Sequence, residues 1–289
     1  MSRLGLAIYA GGNHSFYIAG VLKYLRENGL VFDVVSTYSA SSGVYPYFIS
    51  DRYEKGMEQF LKCFGDNRKN IDLGGLFKGR YIFPHDAIYE CMVRNAVKEY
   101  VYIEDKGVHV EARIILSSFK SNSLLYRIVG LFSFLALMLY SKTKRTRGNY
   151  YLDLFKKVFG VCNEVFVVKP GEAPNLDDLH FNIMGSSTLY PFIKIRKYAD
   201  KYMLDGKFSS ENPITLLEDC DWVLSIHGHY SHVPDRENHI MLLPDRKLKY
   251  SVTDYSSNEP MVKLFEFGYK DGARLIDKLH GTPFLHRLA

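Results

Sequence analysis

The opening of the chain constrains its fold more than any other stretch. "LGLAIYA" (residues 4–10) is an apolar run of strand length that stops at Gly11-Gly12. "SFYIAGVLKYLREN" follows, with apolar residues at 16, 18, 21, 22 and 25; this is the spacing of one helix face, and Gly29 ends it. "LVFDVVSTY" (30–38) reads as a second, β-branched strand that runs into the small-residue stretch "SASSG" (39–43). Two strands joined through a helix lie parallel, because the helix carries the chain back to the starting edge of the sheet. Parallel strands need cover on both faces, so the chain is expected to form an α/β fold with a mostly parallel central sheet.

Later segments extend that sheet. Residues from about 51 to 106 are charged and mostly helical in pattern, and "VHVEARIILSS" (108–118) alternates before turning apolar, as a strand does. "EVFVVKP" (164–170), "HFNIMGSS" (180–187), "DWVLSIHGH" (221–229) and "IMLLP" (240–244) read as further strands, and "YADKYMLDGKFS" (198–209) as a hairpin-like excursion. "VKLFEFGYKDGARLIDKL" (262–279) is an amphipathic closing helix. There is no internal repeat and no low-complexity linker. Residues 1–289 are therefore expected to form one domain, with a helical, apolar insertion around 119–160.

Hydrophobic residues make up 47% of the chain, enough for a substantial core, which argues against a disordered or fibrous protein. The net charge of +5 is modest and the Lys and Arg residues are spread out, so nucleic acid is not an expected partner. Cys63, Cys91, Cys162 and Cys220 form no C-x-x-C pair and read as free thiols of a reducing compartment. The N-terminus runs into glycines before a secretory apolar segment is complete, so a cytoplasmic location is expected.

Chemistry is expected where turns leave the carboxyl ends of parallel strands. In "YAGGNHSF" (9–16), two glycines free backbone amides to face a ligand, and the next helix adds its positive end. The second turn, Ser39-Ala40-Ser41-Ser42-Gly43, approximates a G-x-S-x-G nucleophile elbow with Ser41 at its centre. A serine hydroxyl needs a base, and Asp205-Gly206 in "KYMLDGKFSSENPI" offers a carboxylate on a tight turn.

Together these segments resemble the patatin-like phospholipases, lipid acyl hydrolases with a Ser–Asp dyad. "AGGNHS" (10–15) is similar to their glycine-rich oxyanion loop, "SASSG" (39–43) to their elbow and "DGK" (205–207) to their Asp-Gly turn. "GSSTLYPF" (185–192), Pro213 and "FGYKDG" agree in smaller ways, and the likeness covers about residues 4–65 and 164–279. The resemblance implies a three-layer fold and an acyl-enzyme mechanism without metal or other cofactor. Ser41 is the implied nucleophile and Asp205 the base, with Gly11, Gly12 and Asn13 around the oxyanion and His14 as an anion or substrate contact. A phospholipid or another acyl-ester lipid is the implied partner.

The sequence also departs from that pattern. Ala10 and Ser15 replace loop glycines, His14 stands where Arg or Lys is usual, Ser39 replaces the first elbow glycine and Lys207 replaces a glycine. Pro46 enters the helix after the elbow. These departures keep open a second reading, a lipid-binding or scaffold relative without catalysis. "HGHYSH" (227–232) opens two more: a metal-dependent hydrolase, and a Ser41…Asp205…His227 or His232 triad in the chain order of α/β-hydrolases.

The insertion has its own signature. "LLYRIVGLFSFLALMLYSKTKRTR" (124–147) is apolar apart from Arg127 and ends in Lys142, Lys144, Arg145 and Arg147. It is marginal as a membrane span, and a crossing would part Ser41 from Asp205. Leu131, Phe132, Phe134 and Leu135, with Lys142, Lys144 and Arg145, are therefore expected to meet a membrane surface or an acyl chain. That reading places the protein peripherally on the inner face of a membrane; a core helix covering the sheet is the alternative.

Overall fold

The computed structural model describes residues 2–104, 110–121, 125–143, 148–172, 174–209, 211–228, 236–280, 282 and 284. The opening βαβ unit is present: β1 (Leu4–Tyr9), α1 (His14–Glu27) and β2 (Val34–Tyr38), with β1 and β2 parallel in the register Gly5 to Val34. β3 (Glu111–Phe119) lies parallel to β2. On the far side of β1 come β7 (Trp222–His227) and then β8 (His239–Leu242), both parallel. Beyond β3 the sheet turns antiparallel. β4 (Cys162–Val168) and β6 (Lys201–Leu204) both pair with β3, and β5 (Lys197–Tyr198) pairs with β6. The result is a mixed α/β fold with a mostly parallel central sheet flanked by helices.

β1 and β2, parallel to their neighbours on both sides, are buried throughout, as a doubly covered sheet requires. One face, carrying Leu6 and Ile8 of β1 and Val35 of β2, packs on α1 and on α8 (Glu259–Leu279). The other face carries Ala7, Tyr9 and Tyr38 and packs on Ile214 and Leu217. The insertion forms α5 (Tyr126–Thr143) and α6 (Gly148–Phe159), whose inner residues Val129, Ala136, Leu152 and Phe155 cover Phe119 and Leu204 at the antiparallel edge. Between β2 and β3 run α2 (Tyr45–Ser50), α3 (Tyr53–Phe64) and α4 (Pro84–Glu104). Pro46 sits in the first turn of α2, where an N–H has no helical partner to lose.

Two expectations fail. "HFNIMGSS" is not a strand: it closes α7 (Leu176–Ser186). The deciding signal lies upstream, where the Asn175 side chain accepts from the Asp177 and Asp178 amides and caps the helix. Leu179 and Ile183 then fall on one buried face. Nor are all four cysteines free. Cys63 on α3 and Cys91 on α4 form a disulfide with Cα atoms 5.8 Å apart, while Cys162 and Cys220 are thiols. The pair is 28 residues apart in sequence, and only the side-by-side packing of α3 and α4 brings it together.

Candidate active site

Strand register assembles the site. Ile115 of β3 pairs with Tyr38 at the end of β2, and Ser117 pairs with Leu204 at the end of β6. Because β6 runs against β3, the residue after Leu204 is carried back toward the residue after Tyr38. Asp205 and Ser39 therefore meet beside Ile115. Gly206 makes the approach possible, since a Cβ there would lie 2.3 Å from the Ile115 carbonyl oxygen and 2.8 Å from the Tyr38 Cβ.

Ser39, not Ser41, is the serine at Asp205. Its hydroxyl donates to Asp205 Oδ2 at 2.7 Å. Its backbone sits at φ +57°, in the left-handed region that non-glycine residues seldom occupy. Holding a serine there costs about 1–3 kcal/mol, and an elbow that presents a nucleophile at a strand tip carries this kind of strain. The neighbours fix the turn. The Ser39 N–H donates to Ser186 Oγ at 2.8 Å, and that hydroxyl donates to the Ile115 carbonyl at 2.6 Å. The last residue of α7 thus supports the Ser39 backbone.

The expected pairing of Ser41 with Asp205 is corrected accordingly. Ser41 is fully buried, with its Oγ 2.9 Å from the Ala10 carbonyl oxygen, 2.7 Å from that of Tyr38 and 2.9 Å from Thr37 Oγ1. It ties the glycine turn to the elbow. With Ser39 at the centre, the elbow is Thr37-Tyr38-Ser39-Ala40-Ser41, and the two outer hydroxyls bond each other. Taking Gly43 as the closing glycine of the motif moves the centre two residues downstream. Ser39 is the residue that directly follows Tyr38, the last residue of β2, as an elbow serine follows its strand.

Asp205 is nearly fully buried. Burial pushes its carboxyl up from the ordinary aspartate range to about 6, opposed by the Lys207 N–H donating to Oδ1 at 2.8 Å and by the Ser39 hydroxyl. This is the tuning a carboxylate needs to accept a serine proton near neutrality.

The glycine turn borders the same hydroxyl. A Cβ on Gly11 would lie 3.3 Å from Ser39 Oγ. Gly12 takes φ +51°, and a Cβ there would fall 2.0 Å from the Val252 carbonyl oxygen, so only glycine fits. The Gly11 and Gly12 amides donate to no described residue. Asn13 does not share that position, contrary to the expectation from sequence. Its N–H donates to the Val252 carbonyl at 2.9 Å, and its side-chain amide to the carbonyls of Ser251 and Asp254. It anchors the 251–254 loop instead. His14 turns to the same loop: Nε2 donates to the Tyr250 carbonyl at 3.0 Å, and burial lowers the ring's affinity for a proton.

Two cavities meet at this point. One is bordered by Ser39, Asp205, Gly12, His85 and Phe192. The other is walled by apolar side chains of α1, α3 and α4, among them Phe16, Met57, Phe60, Met92 and Val93. Gly12, Ala40, Tyr89 and Tyr255 border both.

The histidine stretch sits elsewhere in the chemistry. His227, at the end of β7, is fully buried, stacks on Tyr9 with centroids 4.2 Å apart and shares a 3.0 Å hydrogen bond with Ser225 Oγ. Burial pushes its imidazole down to about 3. Its described hydrogen bond goes to neither Ser39, Ser41 nor Asp205, so the triad built on His227 is not formed; His229 and His232 lie outside the described residues. Among the described residues no group of three His, Cys, Asp or Glu is placed to hold a metal.

In the insertion, Leu131, Phe132 and Leu135 are exposed, while Phe134 turns inward with its ring 5.7 Å from that of Phe192 at the cavity. Lys142 lies in the last turn of α5, and Lys144 and Arg145 lie outside the described residues.

No family model matches the sequence, and no curated protein matches it. Among solved structures, VipD from Legionella pneumophila is similar over 96% of this chain and 67% of that chain, with a TM-score of 0.42 and 11% sequence identity.

Proposed function

We propose that this chain is a serine ester hydrolase acting on acyl lipids, a patatin-like phospholipase or lysophospholipase, with Ser39 and Asp205 as its dyad. The observation that carries the reading is the 2.7 Å hydrogen bond from the hydroxyl of a positive-φ elbow serine to a buried carboxylate. The apolar cavity beside the dyad suits a fatty acyl chain, which favours a lipid ester over a small polar one. The reading includes peripheral association with the lipid surface that holds the substrate.

In this mechanism the Ser39 proton passes to Asp205 as Oγ attacks the ester carbonyl. The carbonyl electrons move to oxygen, and the Gly11 and Gly12 amides donate to the resulting oxyanion. Collapse expels the alcohol, which takes the proton from Asp205 and leaves an acyl group on Ser39. Water then gives a proton to Asp205 and its oxygen attacks the acyl carbon. Ser39 leaves with the returned proton, and the fatty acid departs.

The test is labelling by a fluorophosphonate, with the modified peptide located by mass. Labelling on Ser39 that is lost in Ser39→Ala and kept in Ser41→Ala supports the reading. Labelling on Ser41 sinks it, and a folded protein that neither labels nor cleaves acyl esters is a non-catalytic relative instead.

A further inference from the structure

The outer side of α5 is apolar and uncovered. Ile128, Leu131, Phe132 and Leu135 are each between 47 and 54% exposed, and their spacing puts them on one helix face. Val129, Ser133 and Ala136, on the other side, are buried. The neighbouring α6 carries a second exposed row, Tyr150, Leu154 and Val158, and Phe132 meets Phe159 with ring centroids 5.7 Å apart. Single exposed apolar residues are ordinary on a protein surface; a contiguous row at helical spacing marks an interaction surface.

Three further observations choose the occupant. From Ser121 to Phe159 the sequence contains Arg127, Lys142, Lys144, Arg145, Arg147, Lys156 and Lys157 against the single acid Asp153, which pairs with Lys156; this net basic charge suits an anionic partner. No helix among the described residues is long and apolar enough to cross a membrane, which leaves α5 to lie along a surface. The inner side of α5 also rests on the wall of the Ser39–Asp205 cavity. A Cβ on Gly130 would lie 2.9 Å from the Tyr190 ring, and Phe134 packs edge-on against Phe192, which borders that cavity.

We infer that α5, with α6 beside it, docks on an anionic lipid surface. The apolar row enters the acyl region, the basic sequence around it draws the helix to anionic headgroups, and Phe192 at the cavity lies directly behind the docked helix. Docking requires no catalysis. Only the nature of the ester delivered rests on the hydrolase reading.

The experiment uses full-length Ser39→Ala protein, which leaves lipid intact, in flotation with vesicles of phosphatidylcholine alone or with about one-third phosphatidylserine. Binding is expected to be at least about tenfold tighter to the anionic vesicles and to weaken with salt. Leu131→Ser with Leu135→Ser is expected to lower it by about tenfold or more while leaving the melting temperature unchanged. On the wild-type background the same pair should keep kcat/KM for a soluble short-chain ester within about twofold and lose hydrolysis of vesicle lipid. Equal binding to both vesicle types, or binding indifferent to the two substitutions, overturns the inference. So does a dimer, seen by light scattering, that the substitutions break while vesicles are not bound. If vesicles are bound as expected but no form cleaves any ester, docking stands and the hydrolase reading falls.

Discussion

In the turn from Ser39 to Gly43, three serines are buried and one of them holds a positive φ, whereas along α5 leucine, isoleucine and phenylalanine side chains stand half exposed. Each region inverts the usual rule of burial, in opposite directions. The turn bears its cost through partners: Ser186, Ala10, Thr37 and Asp205 take up the serine hydroxyls and amide. On the helix, Leu131, Phe132 and Leu135 keep about half of their surface open. A polar group that is buried and fully bonded points to chemistry completed inside the molecule, while an apolar row left uncovered points to something outside it.

The largest effect should separate two serines two residues apart. Ser39→Ala is expected to lower kcat/KM for acyl esters by about 10⁴-fold or more. Ser41→Ala should cost less than about tenfold in rate but about 1–3 kcal/mol in stability, because it removes a buried hydroxyl bonded within the turn. Steady-state kinetics and urea denaturation on both variants check this, and the reverse pattern would return the nucleophile to Ser41.

Asp205 comes next. Asp205→Asn is expected to reduce kcat/KM by about 10³-fold, and the wild-type pH profile should show an acidic limb near pH 6, where the buried carboxyl loses its proton. Stability should move the other way. The folded value of about 6 lies above the ordinary aspartate value of 3.8. The favourable contribution is therefore complete below about pH 4 and lost as pH rises through 6, a difference of about 3 kcal/mol. The side-chain amide of that variant carries no charge to bury, so the variant should be more stable than wild type at pH 7, with the gain vanishing toward pH 4. A variant that is less stable at pH 7 would show that Asp205 is held for structure.

Gly12→Ala should destabilise by about 3 kcal/mol, since it combines an unfavourable φ with a clash against the Val252 carbonyl; thermal or chemical unfolding measures it. The smallest effect belongs to α5. Leu131→Ser with Leu135→Ser should change unfolding free energy by no more than about 0.5 kcal/mol, because neither side chain is a core residue. A larger loss would mean that the row is packed inside the protein, and the contrast with the elbow would disappear.

Local signals make the βαβ opening, the glycine turn, the Asp-Gly turn and the closing helix legible in sequence, because apolar period and glycine position are enough to define them. What is not legible depends on neighbours. "HFNIMGSS" is too short an apolar run to choose between strand and helix, and the cap that decides it stands outside the run. The Cys63–Cys91 bond needs the adjacency of two helices. The serine that bonds Asp205 lies two residues before the one the sequence pattern centres, because Ser39, Ser41 and Ser42 are alike there and only the end of β2 tells them apart. Ser186 has no signature of its own, since its role follows from where α7 stops.

The disulfide has a consequence for what the larger cavity admits. Cys63 and Cys91 lie on the two helices that supply Met57, Phe60, Met92 and Val93 to its wall. The breadth of that slot is therefore gauged by a covalent bond as well as by side-chain packing. That frame resists spreading, and in the proposed hydrolase it would favour a single slender tail over a bulkier or branched one.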